Sequence, residues 1–137
     1  MVEARENFAG TSTFRAILAV EEDGDEIVVN LDVQKISGPN LDSKGQTYPW
    51  SITVTGPGGY NKRIEGAWSY KTTSTYRKRI ASGRRFTKLP AGQIAVKASV
   101  SMNFGSPLGT RQSTPELNLT IGGAPLKPLV GWTNATR

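Results

Sequence analysis

The sequence contains no cysteine and no histidine. These two absences exclude thiol nucleophiles, disulfide frameworks, imidazole bases and metal sites built from Cys or His ligands. Hydrophobic runs are short as well, since none approaches the ~20 apolar residues that a membrane-spanning helix needs. The first ten residues, MVEARENFAG, are polar and do not resemble a signal peptide. We therefore expect a protein without a membrane span that is made in a cytoplasm.

Recognisable catalytic patterns are lacking too. Serines are numerous, but no G-x-S-x-G elbow occurs and no histidine is available as a base. The acids between Glu21 and Glu26 lack the spacing of a calcium loop, and a solvated turn offers no burial to separate their pKa values. Gly56 to Gly59 is not a phosphate loop, because no Gly-Lys-Ser/Thr follows. The sequence indicates a protein that is not an enzyme and needs no cofactor.

Alternating hydrophobicity is the main signal that the chain does contain. From Ile94 to Phe104 every second residue is apolar, which is the period of a strand with one face in a core. Other strand-like segments are Thr11–Val20, Ile27–Ile36, Tyr48–Thr55, Lys62–Gly66, a strand, bend and second strand within Ala67–Ile80, and Leu117–Ile121. No segment has helical periodicity. The pattern predicts an all-β, antiparallel, immunoglobulin-like β-sandwich of about seven or eight strands, with a small closed barrel as the alternative.

Turn residues set the predicted boundaries. Asp23-Gly24 between two apolar runs predicts a hairpin. Turns are also predicted at Ala81–Gly83 and Pro90–Gly92, and a loop at Gly105–Thr114. Residues 1–10 have no periodicity and are interpreted as an N-terminal arm, residues 11–121 as the sandwich domain, and residues 122–137 as a C-terminal Pro/Gly-rich tail.

Charge is divided unevenly along the chain. Residues 1–42 hold nine acids and three bases, whereas residues 43–137 hold two acids and fourteen bases. Three interpretations remain open: two differently solvated faces, a subunit that meets a copy or neighbour acidic end to basic end, or a nucleic-acid binder.

The segment from Lys62 to Lys88 is the most basic part of the sequence. Its candidate interaction residues are Lys62, Arg63, Arg77, Lys78, Arg79, Arg84 and Arg85. Aromatic residues lie between them, so a single-stranded nucleic-acid platform is one hypothesis. A contact with an acidic protein is another. The simplest interpretation is that strand alternation sends the aromatic rings inward and the bases outward.

The three tryptophans divide into two groups. Trp50 and Trp68 lie in strand patterns and are predicted to be core residues. If they were exposed with Tyr70, they would instead form the platform of a carbohydrate-binding module. Trp132 lies in the tail, where it either anchors a neighbouring subunit or folds back on its own sandwich.

The order of these segments resembles the minor tail and minor structural proteins of tailed phages. The matching positions are Phe86-Thr87, Ala91-Gly92, Ile94–Ser101 and Leu117–Ile121, within a resemblance that also includes Thr11–Val20, Ile27–Ile36 and Tyr48–Gly56. The chain departs from that pattern in its basic residues between 77 and 88 and in its Pro-rich tail. The resemblance implies an immunoglobulin-like or fibronectin-like domain displayed on a virion in many copies, without catalysis.

These observations together give the expected function. The chain is expected to be a structural component of a tailed-phage virion, specifically a minor tail protein. Its expected partners are other virion proteins and copies of itself. A capsid decoration protein is the first alternative, and a host-surface carbohydrate-binding module is the second.

Overall fold

Strands β2 (Phe14–Asp23) and β3 (Glu26–Lys35) form the hairpin predicted at Asp23-Gly24. Gly24 has a φ of 61°, a conformation that glycine adopts without the penalty that a side chain brings. This backbone permits a two-residue connection, so that Asp23 pairs directly with Glu26. The structure, a computed structural model, describes residues 1–9, 11–87, 94–104 and 110–121.

The described residues form two antiparallel sheets. The other elements are β1 (Val2–Asn7), β4 (Tyr48–Thr55), a 3₁₀ turn (Pro57–Gly59), β5 (Asn61–Trp68), β6 (Arg77–Thr87), β7 (Ile94–Asn103), β8 (Thr110–Ser113) and β9 (Glu116–Ile121). The first sheet has the order β1-β2-β3-β6; the second has the order β5-β4-β7-β8, with β9 also pairing β7. The chain changes sheet after β3, β5 and β6, as in immunoglobulin-like sandwiches. No ladder joins the two sheets within the described ranges, so the predicted sandwich is confirmed and the closed barrel is wrong.

The core lies where the alternation places it. On β3, Ile27, Val29, Leu31 and Val33 are fully buried. On β7, every second residue is at most 2% exposed: Ile94, Val96, Ala98, Val100 and Met102. Each buried side chain of the size of Val or Leu contributes ~1.5–3 kcal/mol relative to its exposed state. The alternating segments therefore account for both inner faces of the sandwich.

A tryptophan and a glycine fix the contact between β4 and β5. Gly66 pairs with Trp50 across the two strands. A Cβ atom built on Gly66 would lie 2.7 Å from Cζ2 of Trp50, so only glycine leaves room for the indole. Pro49, the second residue of β4, precedes the first β4–β7 pair, Trp50 with Val100. Proline is tolerated there because it lies at the start of the strand.

The segment predicted to be an N-terminal arm is instead an edge strand. Residues Val2–Asn7 pair with β2 over the full length of β1. Phe8 follows as a fully buried residue, with its ring centroid 5.8 Å from that of Phe104. The sequence shows no alternation here because most of β1 is exposed on both faces. The sandwich therefore includes residues that the sequence assigned to a separate arm.

The turn predicted at Ala81–Gly83 is also wrong, since strand β6 runs through it. The β3–β6 register shifts on both sides of Leu31, which marks β-bulges. Gly83 has a φ of 60°, and its N–H donates to Oδ1 of Asn30 at 2.7 Å. Glycine with a positive φ occurs in β-bulges as well as in turns, so amino-acid composition alone does not distinguish a bulge from a turn.

The remaining predicted loops and the tail lie near or beyond the end of β7 or outside the described residues. The loop predicted at Gly105–Thr114 contains the short strand β8, which pairs with the end of β7. The Pro90–Gly92 turn, Lys88 and the tail 122–137 with Trp132 lie outside the described residues.

Candidate interaction surface

The predicted bases lie on two edge strands, which we call the basic edge. Lys62 and Arg63 belong to β5, the edge of the second sheet; Arg77, Lys78, Arg79, Arg84 and Arg85 belong to β6, the edge of the first. The two strands share one flank of the sandwich, since the Tyr60 hydroxyl beside β5 donates to the Thr87 carbonyl of β6 at 3.0 Å. Charged side chains on edge strands also discourage unwanted strand pairing.

Two of these arginines share one buried carboxylate. Nε of Arg77 donates to Oδ2 of Asp32, and Nε of Arg79 donates to Oδ1 of Asp32, both at 2.9 Å. Asp32 is 4% exposed and lies on the outer face of the first sheet, opposite Arg79 in the β3–β6 register. The hydrogen bonds to Asp32 raise the pKa of Arg79 above its ordinary value. A buried carboxylate needs such partners, so these arginines serve the fold.

Arg85 is occupied by the tip of the β2–β3 hairpin. Its Nη1 atom lies 2.9 Å from Oδ2 of Asp23 and 3.1 Å from Oε1 of Glu26. Hydrogen bonds to these two carboxylates, Asp23 first, raise the pKa of Arg85. All three side chains are largely solvated, so this contact neutralises charge while contributing little stability.

The uneven charge along the sequence is therefore partly balanced inside one sheet. The acidic strands β2 and β3 and the basic strand β6 are neighbours, and their charges meet at Asp32, Asp23 and Glu26. The interpretation of two differently solvated faces does not hold for these groups. Arg77, Arg79 and Arg85 are consequently poor candidates for a contact with another molecule.

Lys78 and Arg84 cover the two core tryptophans. The Nζ atom of Lys78 lies 6.0 Å from the ring centroid of Trp68 and donates to the Ser69 carbonyl at 2.8 Å. Cζ of Arg84 lies 6.0 Å from the ring centroid of Trp50. Arg84 pairs with Val29 and so extends from the core-facing side of β6. Such contacts combine cation–π attraction with the packing of an aliphatic stem.

Arg63 and Lys62 differ in their surroundings although they are neighbours on β5. Arg63 donates to Thr53 at 3.2 Å and forms an exposed ion pair with Glu65 at 3.4 Å. Lys62 is exposed, and within the described ranges no carboxylate lies at ion-pair distance from Lys62 or from Arg84. Lys78 likewise has no described carboxylate, but its ammonium is held by the Ser69 carbonyl. Lys62 and Arg84 are therefore the exposed bases of the basic edge that the described acids leave without a counter-charge.

The aromatic rings are not available as a binding platform. Trp50, Trp68 and Tyr70 are 5%, 4% and 4% exposed. The indole of Trp68 donates to the Ser101 carbonyl at 2.9 Å, and the Tyr70 hydroxyl donates to the Asn103 carbonyl at 2.8 Å. The hypothesis of a carbohydrate platform on these rings is therefore wrong, and Trp68 and Tyr70 are equally unavailable to a nucleic-acid stacking platform. Their prediction as core residues is confirmed for both tryptophans.

The sequence missed Asp32 as the centre of the arginine cluster. Its only sequence signal is a carboxylate between the apolar residues Leu31 and Val33 of a strand. In the part of the chain described, no group of three or more carboxylates could hold a metal ion. The same ranges contain no helix with the length and hydropathy required to cross a bilayer.

Comparisons with known proteins give one structural neighbour to report. The solution structure of CsgH from R. palustris is similar with a TM-score of 0.48 and 16% sequence identity, covering 75% of this chain and 91% of that chain. Neither the protein-family models nor the curated proteins that were searched match this chain.

Proposed function

We propose that this protein is a non-catalytic structural component of a tailed-phage virion, specifically a minor tail protein that works through protein–protein assembly. The observation that carries the proposal is the positive charge of the basic edge that described acids do not balance. Described acids pair with four of its seven bases, Arg63, Arg77, Arg79 and Arg85. Lys78 donates to a backbone carbonyl, and Lys62 and Arg84 remain exposed without a carboxylate. An edge with this residual charge favours a neighbour that supplies acidic groups.

The physical role of such an edge is orientation. Complementary charges steer two subunits together and fix their register, and they add less to affinity than to specificity. Because Arg84 rests on the core residue Trp50, its charge is held at a defined position on the flank of the sandwich. A rigid sandwich with fixed edge charges suits repeated placement in a symmetric particle.

A capsid decoration protein is the alternative proposal, and it uses the same edge against a head subunit. Immunogold electron microscopy of particles from cells that carry this gene separates the two. Label on the tail supports the proposal, and label on the head supports the alternative instead. Particles without label, with the chain recovered as a free monomer, contradict both.

A further inference from the structure

A cavity of about 350 Å³ opens at one end of the sandwich, where the loop of residues 41–46 lies against the end of β7. Tyr48, Tyr70 and Phe104 give it aromatic walls, and Asp42, Lys44 and Gln46 stand at its exposed rim. Its volume is at the lower end of the ~300–1,000 Å³ typical of small-molecule sites. None of the rim residues belongs to the basic edge.

The loop that forms the rim is firmly attached to the segment after β5. Backbone N–H groups of Ser43 and Thr72 donate to the carbonyls of Tyr70 and Leu41, each at 2.8 Å. Two side-chain contacts reinforce them: Leu41 N–H donates to Oγ1 of Thr72 at 2.8 Å, and Tyr70 N–H donates to Oγ of Ser43 at 3.0 Å. The walls of the cavity are therefore built before any ligand arrives.

Lys44 is held in a strained conformation at this rim. Its φ of 52° is the only positive φ of a non-glycine residue within the described ranges. Oδ1 of Asp42 accepts a hydrogen bond from the Lys44 N–H at 2.7 Å, which fixes the turn. Such a backbone costs on the order of 1–3 kcal/mol and persists only where its surroundings impose it. Here it places a cationic and an anionic side chain side by side at the opening.

The rim offers both donors and acceptors beside an aromatic face. Within the described ranges, the ammonium group of Lys44, the amide of Gln46 and the hydroxyl of Tyr48 have no hydrogen-bond partner. Asp42 uses Oδ1 for the turn, which leaves Oδ2 for a ligand. The half-buried Tyr48 ring packs on Tyr70 with centroids 5.9 Å apart, so its position is fixed.

We infer that this cavity binds one pyranose unit of a glycan, independently of the proposed assembly function. A sugar ring has an apolar C–H face that packs on an aromatic ring, and its hydroxyls both donate and accept hydrogen bonds. A phosphate would meet the Asp42 carboxylate as well as the Lys44 ammonium, so this pair gives an anion no net attraction. An apolar side chain would make no hydrogen bond to the polar groups of the rim. The site differs from the platform expected from Trp50, Trp68 and Tyr70, which are buried, because the half-buried Tyr48 supplies the ring surface here.

Saturation-transfer NMR on the full chain tests the inference. The probes are glucose, galactose, mannose, rhamnose, N-acetylglucosamine and N-acetylgalactosamine, with N-acetyltryptophanamide and glycerol 3-phosphate as non-sugar probes. The variants are Gln46→Ala and Asp42→Asn, the second of which retains an acceptor for the Lys44 N–H. The matched control is Thr47→Ala, an exposed position in the same region that does not line the cavity.

We expect signal from at least one sugar, with affinity reduced about fivefold in each rim variant and unchanged in the control. Unfolding midpoints equal to that of the wild type show that each variant keeps its fold. Three results overturn the inference: no signal from any sugar, signal only from a non-sugar probe, or a sugar signal that both rim variants leave unchanged.

Discussion

Asp32 and Arg79 lie 47 positions apart in the sequence and directly opposite each other in the β3–β6 ladder, with Oδ1 of Asp32 2.9 Å from Nε of Arg79. Arg77 completes the cluster from two residues away on the same strand. This contact joins the acidic and basic parts of the chain within the first sheet.

The double variant Arg77→Met/Arg79→Met is expected to lose about 3 kcal/mol of unfolding free energy, because a carboxylate that is 4% exposed loses both of its hydrogen-bonding partners. Each single variant should lose less, since one arginine remains. The matched control is Arg85→Met, whose solvated ion pairs should contribute much less than the Asp32 contacts. Urea unfolding measures all four, and equal losses in the double variant and the control would refute the role given to Asp32.

The contact between Trp50 and Gly66 gives a second prediction. Gly66→Ala should cost ~1–3 kcal/mol, because the added methyl group must displace an indole that is 2.7 Å away. Backbone strain is not the reason, since the φ of Gly66 is not positive. Ala67→Ser on the exposed face of the same strand is the control and should change stability little. Thermal unfolding followed by Trp fluorescence compares the two variants. A Gly66→Ala protein as stable as the wild type would show that the Trp50 indole can accommodate the methyl group.

Removing either of two buried tyrosine hydroxyls should change the stability of the fold, in opposite directions. The Tyr70 hydroxyl donates to the Asn103 carbonyl at 2.8 Å and accepts from the Asn103 N–H at 3.0 Å, so Tyr70→Phe should cost ~1 kcal/mol or more. The Tyr76 hydroxyl is buried without a partner within the described ranges, so Tyr76→Phe should be neutral or stabilising. Denaturant midpoints of the two variants measure these changes in stability. A larger loss of stability in Tyr76→Phe than in Tyr70→Phe would contradict this account.

The same phenols predict how stability depends on high pH. Burial raises the pKa of Tyr70 and of Tyr76 above the ordinary 10.0. Because the folded pKa exceeds the unfolded one, the neutral phenols favour folding. That contribution is complete below about pH 10 and is lost as the pH rises through the raised pKa values. Difference absorbance between the wild type and Tyr76→Phe should show phenolate forming above pH 10 in the folded state; formation at the unfolded value would exclude the raised pKa.

Much of the fold follows from local sequence. The proposed strand Tyr48–Thr55 has the bounds of β4, because a clear alternation begins at a proline and ends at a glycine turn. The buried positions of β7 follow from period two alone. Strand β1 does not, because an edge strand exposed on both faces has no pattern to read. The bulge at Gly83 has the composition of a turn, and only its pairing with β3 distinguishes it.

The candidate sites are harder to predict for a different reason. Whether a base is free depends on which acid lies opposite, and Asp32 reaches Arg77 across 45 positions of sequence. The cavity likewise depends on contacts between the 41–46 loop and Tyr70–Thr72, which no local pattern specifies. The sequence could identify the basic residues, but only the strand register shows that Lys62 and Arg84 differ from Arg77, Arg79 and Arg85.

The assembly proposal makes a direct prediction about charge reversal. Lys62→Glu/Arg84→Glu should abolish incorporation of the chain into particles, because both exposed charges are reversed. Because Arg84 also covers Trp50, the unfolding midpoint of the free domain is measured beside it to show that the variant stays folded. The control Lys71→Glu/Lys97→Glu carries the same change in net charge on exposed positions outside the basic edge. It should incorporate normally, with its unfolding midpoint measured too because Lys97→Glu breaks an exposed ion pair with Glu116. Quantitative immunoblotting of purified particles against the lysate measures both. Equal incorporation of the two double variants would show that the basic edge is not part of the assembly contact.

Cryo-electron microscopy of the native particle tests the central claim most directly. The account predicts copies of this sandwich in the tail, with the flank that carries Lys62 and Arg84 facing carboxylates of a neighbouring subunit. Density that places the chain elsewhere than the tail, or that leaves this flank open to solvent, would contradict it.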